Sequence, residues 1–115
     1  MIVGAAVVEL HVHGSHSLKE KRGVVRSVIG RLRNRFNVSA AEIGGQDTWQ
    51  RAVIGIATTG NDRTYVRGQL QRALEFIEDM HLAEVTGSDV ELLELCYDER
   101  EQDDDETDDG DVPEE

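Results

Sequence analysis

Cysteine, proline and aromatic residues are all scarce in this chain of 115 residues, which holds one Cys, one Pro and 4% aromatics. The lone Cys96 can close no internal disulfide and offers no cysteine framework for a metal, so a reducing, cytoplasmic setting is expected rather than secretion. Long apolar runs are lacking too. The stretch from Ile2 to Val8 has no basic flank and is too short to cross a bilayer, which argues against a transmembrane helix, a signal peptide and a membrane partner. At this length a single domain is expected.

Positive charge is outnumbered two to one, 12 Lys and Arg against 24 Asp and Glu, for a net charge of −12. Twelve of those acids lie between Asp98 and Glu115, beside the single cation Arg100. Like charges at that density, with Val112 almost the only apolar residue, cannot offset the chain entropy of folding. The expectation is a globular domain over residues 1–97 and a disordered acidic tail over residues 98–115. Without the tail the body is nearly neutral, so whole-chain charge does not exclude a nucleic-acid partner.

Within the body the hydrophobic period switches between that of a strand and that of a helix. Ile2, Ala6, Val8, Leu10 and Val12 alternate with Glu9, His11 and His13, which predicts a first strand over residues 2–13. Ser17 followed three residues later by Glu20 is a capping-box pattern, and Leu18, Val25, Val28, Ile29, Leu32 and Phe36 recur at helical spacing. A helix is therefore predicted from Ser17 to about Phe36. Residues 38–43 read as a short second strand before the Gly44-Gly45-Gln46-Asp47 turn, and residues 51–59 read as a third. Asn61 or Asp62 then caps a second helix whose stripe is Val66, Leu70, Ala73, Leu74, Ile77 and Met80. After Val85 and a break at Gly87-Ser88, residues 90–97 give the last strand.

The resulting β-α-β-β-α-β order is the split βαβ arrangement, a ferredoxin-like fold of the α/β (α+β) class. Right-handed crossovers place two helices on one face of a four-stranded antiparallel sheet and leave the other face bare.

Three motifs carry a resemblance: Gly14-Ser15-His16-Ser17-Leu18-Lys19-Glu20-Lys21-Arg22, then Arg31-Leu32-Arg33-Asn34-Arg35-Phe36-Asn37-Val38-Ser39, then Gln46-Asp47 to Trp49-Gln50-Arg51-Ala52. Over residues 1–96 the chain resembles the YlxP-like family of bacterial proteins of unknown function. The resemblance implies a ferredoxin-like fold. Genes of that family lie among those for transcription termination, translation initiation and ribosome maturation, which implies a role near RNA or the ribosome. His13 stands where that family commonly has proline, and the acidic extension is a second departure.

The charge of the body is segregated. Residues 15–37 hold seven basic side chains, Lys19, Lys21, Arg22, Arg26, Arg31, Arg33 and Arg35, against Glu20 alone. On a helical wheel Lys19, Arg22, Arg26 and Arg33 flank one side of the apolar stripe and Arg31 and Arg35 the other, with Glu20, Gly23, Ser27, Gly30 and Asn34 between them as a small, polar outer face. Such a surface admits a phosphate backbone close to the helix and lets arginines grip it. The turn into the helix is a second candidate anion site, with Ser15 and Ser17 as hydrogen-bonding groups, because free N–H groups and the helix dipole favour phosphate there. The expected nucleic-acid or anion site is thus Ser15, Ser17, Lys19, Lys21, Arg22, Arg26, Arg33 and Arg35. The bland alternative is a charged helix face that serves solubility, with Ser17 and Glu20 acting only as a cap.

The bare sheet face is expected to carry Val3, Ala5, Val7, Val53 and Ala57, small apolar residues that suit an interface with a second copy or another protein. None of the five aromatics falls at its centre, which disfavours recognition of RNA by base stacking on the sheet. Trp49 reads as a cap on the end of the core, with Asp47 and Arg51 fixing the turn. Glu9, His11 and His13 share a strand face with His16 just beyond, but no strong zinc spacing is present, so no metal and no cofactor is expected. The loop after the first strand lacks the arginine of an acylphosphatase phosphate cradle, and no catalytic constellation is recognisable. The sequence therefore leads to a non-enzymatic, homodimeric cytoplasmic protein that binds RNA or a ribosomal assembly intermediate through its first helix. The alternative is a homodimeric interaction module that works through the open sheet face without nucleic acid. The tail is a candidate competitor for the basic helix, against the plainer reading of a solvating extension.

Overall fold

A computed structural model describes residues 1–97, and the acidic tail expected at residues 98–115 lies outside the described residues. The elements run β1 (Ile2–His11), α1 (Leu18–Arg35), β2 (Ser39–Gly44), β3 (Arg51–Gly60), α2 (Arg63–Met80) and β4 (Glu84–Glu94). The sheet order is β2-β3-β1-β4 with every pairing antiparallel, which is the ferredoxin-like topology.

Alternation in β1 sends Ile2, Ala6, Val8 and Leu10 under the helices, where they meet Ala52, Ile54 and Ile56 of β3. Helical spacing does the same from above, with Val25, Val28 and Leu32 of α1 and Val66, Leu70, Ala73 and Ile77 of α2 buried in one core. Gly4 lies on the same side of β1. A Cβ there would sit 2.6 Å from Val66 Cγ1 and 2.8 Å from Leu70 Cδ1, so α2 rests directly on the bare backbone. Gly4→Ala is expected to cost about 1–3 kcal/mol by overpacking, read as a lower urea midpoint at unchanged slope.

Ser17 caps α1 as its spacing predicts, with Glu20 N donating to Ser17 Oγ at 3.1 Å. The reciprocal bond is displaced by one residue: Glu20 Oε1 accepts from His16 N at 2.8 Å. Asp62, the second of the two predicted caps, opens α2 by accepting from Tyr65 N at 3.0 Å.

Three expectations need correction. The first strand ends at His11 rather than His13, although Val12 N still donates to Gln50 O at 2.8 Å. The Gly87-Ser88 break does not interrupt β4, which pairs with β1 from Glu84 to Glu94. The strand absorbs its irregularity as a bulge: Glu9 pairs with Gly87 and Leu10 with Val85, so Thr86 is the extra residue, and its Oγ1 donates to Glu9 O at 3.3 Å. Trp49 does not cap the core, since it stands 54% exposed in the β2–β3 connection. Arg51 does not fix that turn through its side chain, because its guanidinium pairs with Glu9 on the neighbouring strand.

Candidate functional site

Helix α1 presents its cations according to their angular distance from the buried stripe. At 100° per residue, Lys19, Arg22, Arg26 and Arg33 fall within about 60° of one another and form a ridge along the helix. All four are exposed. Lys19, Arg22 and Arg26 have no hydrogen bond or ion pair among the described residues, and neither has Arg31 on the opposite flank. Arg33 reaches down to the edge strand β2, where Nη2 donates to Ala40 O at 2.7 Å, so the ridge overlooks that sheet edge. One of five guanidinium donors is used in that contact, and the rest stay available. Arg35 lies instead with its guanidinium carbon 5.3 Å from the centre of the Phe76 ring on α2, and Phe76 meets Phe36 edge-on at 5.5 Å. Arg35 thus belongs to the seam between the helices.

The structure removes three residues from the expected anion site. Lys21 is 0% exposed. Its position is on the stripe with Val25, Val28 and Leu32, so its stem runs inward and its ammonium donates to Gly45 O and, at 3.1 Å, to Arg51 O. Glu42 Oε2 lies 3.3 Å away as the counter-charge, although that oxygen accepts no hydrogen bond. Ser15 is buried as well, its hydroxyl donating to Ser17 O at 3.1 Å and its carbonyl accepting from Gln50 Nε2 at 3.2 Å. Ser17 is occupied as the cap, and the Glu20 carboxylate bonded to His16 N places negative charge beside the helix N-terminus. A phosphate there would meet that carboxylate, so the turn is a plain capping loop and the outward cations of α1 stand alone.

The open sheet face carries Val3, Ala5, Val7, Val53 and Ala57 as predicted, each half-buried or exposed and opposite to the helices. Pairing adds residues that sequence reading missed. Leu93 of β4 lies beside Val3, and Ile43 of β2 lies across Gly55, where a Cβ would come within 3.2 Å of its Cγ2. Val7, Ile43 and Leu93 are 43%, 54% and 63% exposed, so apolar surface reaches β1, β2 and β4, with exposed Asp89 beside Val7 and exposed Glu91 beside Ala5 on the same face. The signal for Leu93 was present in the parity of the last strand; Ile43 needed the register of the β2–β3 hairpin.

The histidines divide. Glu9 turns to Arg51, and His16 takes no part in any cluster among the described residues, but His11 and His13 converge with Glu84 at the start of β4. Their ligand atoms all lie within 4.8 Å of one another. Beside them His13, Glu78, His81, Leu82, Ala83, Glu84 and Val85 line a cleft of about 520 Å³. Glu84 was invisible from sequence because only the Thr86 bulge brings it opposite His11. No helix of the described residues is long and apolar enough to cross a membrane.

Comparison with known proteins adds family rather than activity. A family described as Protein of unknown function (DUF503) matches residues 3–90. Uncharacterized protein YlxP of Bacillus subtilis (strain 168) is 46% identical over 77 residues, spanning 67% of this chain and 84% of the relative. A solved structure of a candidate chlorite dismutase is similar at TM-score 0.41 and 10% identity over 89% of this chain, which spans 46% of that longer one.

Proposed function

The chain belongs to the DUF503 family, and from that premise we propose that it is a cytoplasmic, non-enzymatic binding protein that holds RNA, or an RNA-containing ribosomal assembly intermediate, along α1. The observation that supports this reading most is that Lys19, Arg22 and Arg26 stand in one row, exposed and without partners among the described residues. A ridge kept only for solubility would gain from local carboxylates, yet the one acid of α1, Glu20, is bonded to His16 N. Arg33 extends the row by a further two turns. Gly23, Gly30, Ser27 and Asn34 beside it are small or neutral, so beyond the Glu20 carboxylate at the helix N-terminus a phosphate backbone meets neither bulk nor negative charge. The test is RNA affinity as a function of salt, for the parent chain and for a variant with the ridge neutralised.

A second reading rests on the sheet. Val7, Ile43 and Leu93 expose apolar surface that a monomer has no evident use for, and two copies of the chain packed sheet to sheet would cover it. Sedimentation should then report a dimer, and Val7→Lys should convert it to monomer without lowering the thermal midpoint of the monomer itself. A monomer at every concentration tried would end this second reading. It would leave the ridge unaffected, because the helices and the open face lie on opposite sides of the sheet.

A further inference from the structure

The geometry points to a divalent transition-metal site of the zinc class formed by His11, His13 and Glu84. One turn and one strand irregularity build it. His11 ends β1 and His13 opens the turn that follows, which brings the two rings edge-on with centroids 4.1 Å apart. In the register that holds from Ile2 to Glu9, His11 would stand opposite Val85; the extra residue Thr86 moves it opposite Glu84 instead. The same bulge keeps Val85 packed against the core, so one local change both preserves the core and re-aims a carboxylate at two imidazoles.

The three side chains lie close enough together to share one ion. His13 Nε2 lies 3.1 Å from His11 Nδ1 and 2.7 Å from Glu84 Oε1, so a single ring nitrogen meets both a second imidazole and a carboxylate. One proton on Nε2 serves one of them well. If His11 Nδ1 carries the proton instead, the Nε2 lone pair faces a carboxylate oxygen. A cation at the centre is attracted to all three. In tetrahedral zinc coordination with bonds of about 2.0–2.1 Å, neighbouring ligand atoms are about 3.3 Å apart, so the exposed Glu84 and His13 side chains, now 2.7 Å apart, would part by about 0.6 Å to admit the ion. Two imidazoles and one carboxylate match the borderline-soft preference of zinc over magnesium or calcium. The cleft lined by Glu78 and His81 adjoins His13 and Glu84.

Zinc titrated calorimetrically into the full chain, with magnesium in excess to occupy the carboxylates of residues 98–115, should show a single equivalent bound. Nitrogen NMR of the histidine side chains should show His11 and His13 shifting together while His16 does not. His13→Gln and Glu84→Gln should each weaken binding at least about tenfold. Both positions are exposed, so their thermal midpoints should match the parent and a loss of binding cannot be ascribed to unfolding. Zinc binding that survives His11→Gln with His13→Gln, or zinc that leaves both rings unshifted, would overturn the assignment.

Discussion

Lys21→Ala should destabilise the folded chain by about 3–4 kcal/mol, because removing one member of a buried ion pair strands the other. The ammonium group joins the first turn of α1 to both ends of the β2–β3 connection, through Gly45 O and Arg51 O, and balances Glu42. Alanine deletes all of this. Two inward carbonyls lose a donor, and a carboxylate whose side chain is 18% exposed keeps its charge with no counter-charge beside it. Lys21→Met restores the stem but not the donors, so it should recover only the packing part. Lys21→Met combined with Glu42→Gln removes the stranded charge and should recover more, a non-additivity that a double-mutant cycle in urea measures. A single Lys21→Ala variant within about 1 kcal/mol of the parent would contradict this account, being the size of an exposed ion pair.

Lys21 also shows where sequence reading succeeds and where it stops. Helix α1 was legible from the spacing of Val25, Val28 and Leu32, and that same arithmetic puts position 21 in the middle of the buried stripe. Residue type argued the other way. A lysine among six exposed cations reads as a seventh, and only the carbonyls of Gly45 and Arg51, 24 and 30 residues away, explain why it turns inward. Topology was legible because the period changes sharply between strands and helices and because caps at Ser17 and Asp62 mark where each helix starts. Register was not. Thr86 looks like any strand residue, and Gly87-Ser88 looks like a turn, until β1 supplies the pairing that makes the first a bulge and carries the strand through the second. Glu84 and Ile43 were missed for this reason: both owe their neighbours to bulges, one in the sequence-distant β1–β4 pairing and one in the β2–β3 hairpin. Trp49 was misjudged on type as well, since large aromatics are more often buried than held half in solvent on a loop.

Neutralising the ridge with Lys19→Gln, Arg22→Gln and Arg26→Gln should weaken RNA binding about 100-fold near 0.1 M salt. Each phosphate contact on a single strand contributes about 0.7 to the slope of log affinity against log salt, so three contacts carry a slope of about 2, and a tenfold dilution of salt from 1 M is worth about two decades. Glutamine keeps helix propensity and length, and the three positions are exposed, so the fold should be unaffected. The control is Arg31→Gln. It lowers net charge by the same unit as Arg26→Gln but lies on the opposite flank of α1, beyond the small outer face. If RNA follows the ridge, Arg26→Gln should reduce the slope by about 0.7 and Arg31→Gln should change it little. Equal effects at both positions would mean that RNA responds to overall charge, and a parent slope near zero would remove RNA from the account altogether. A dimer disrupted by Val7→Lys would then leave the open sheet face as the working surface, and the row over β2 would be a solvated helix face whose only hydrogen bond among the described residues is Arg33 with Ala40.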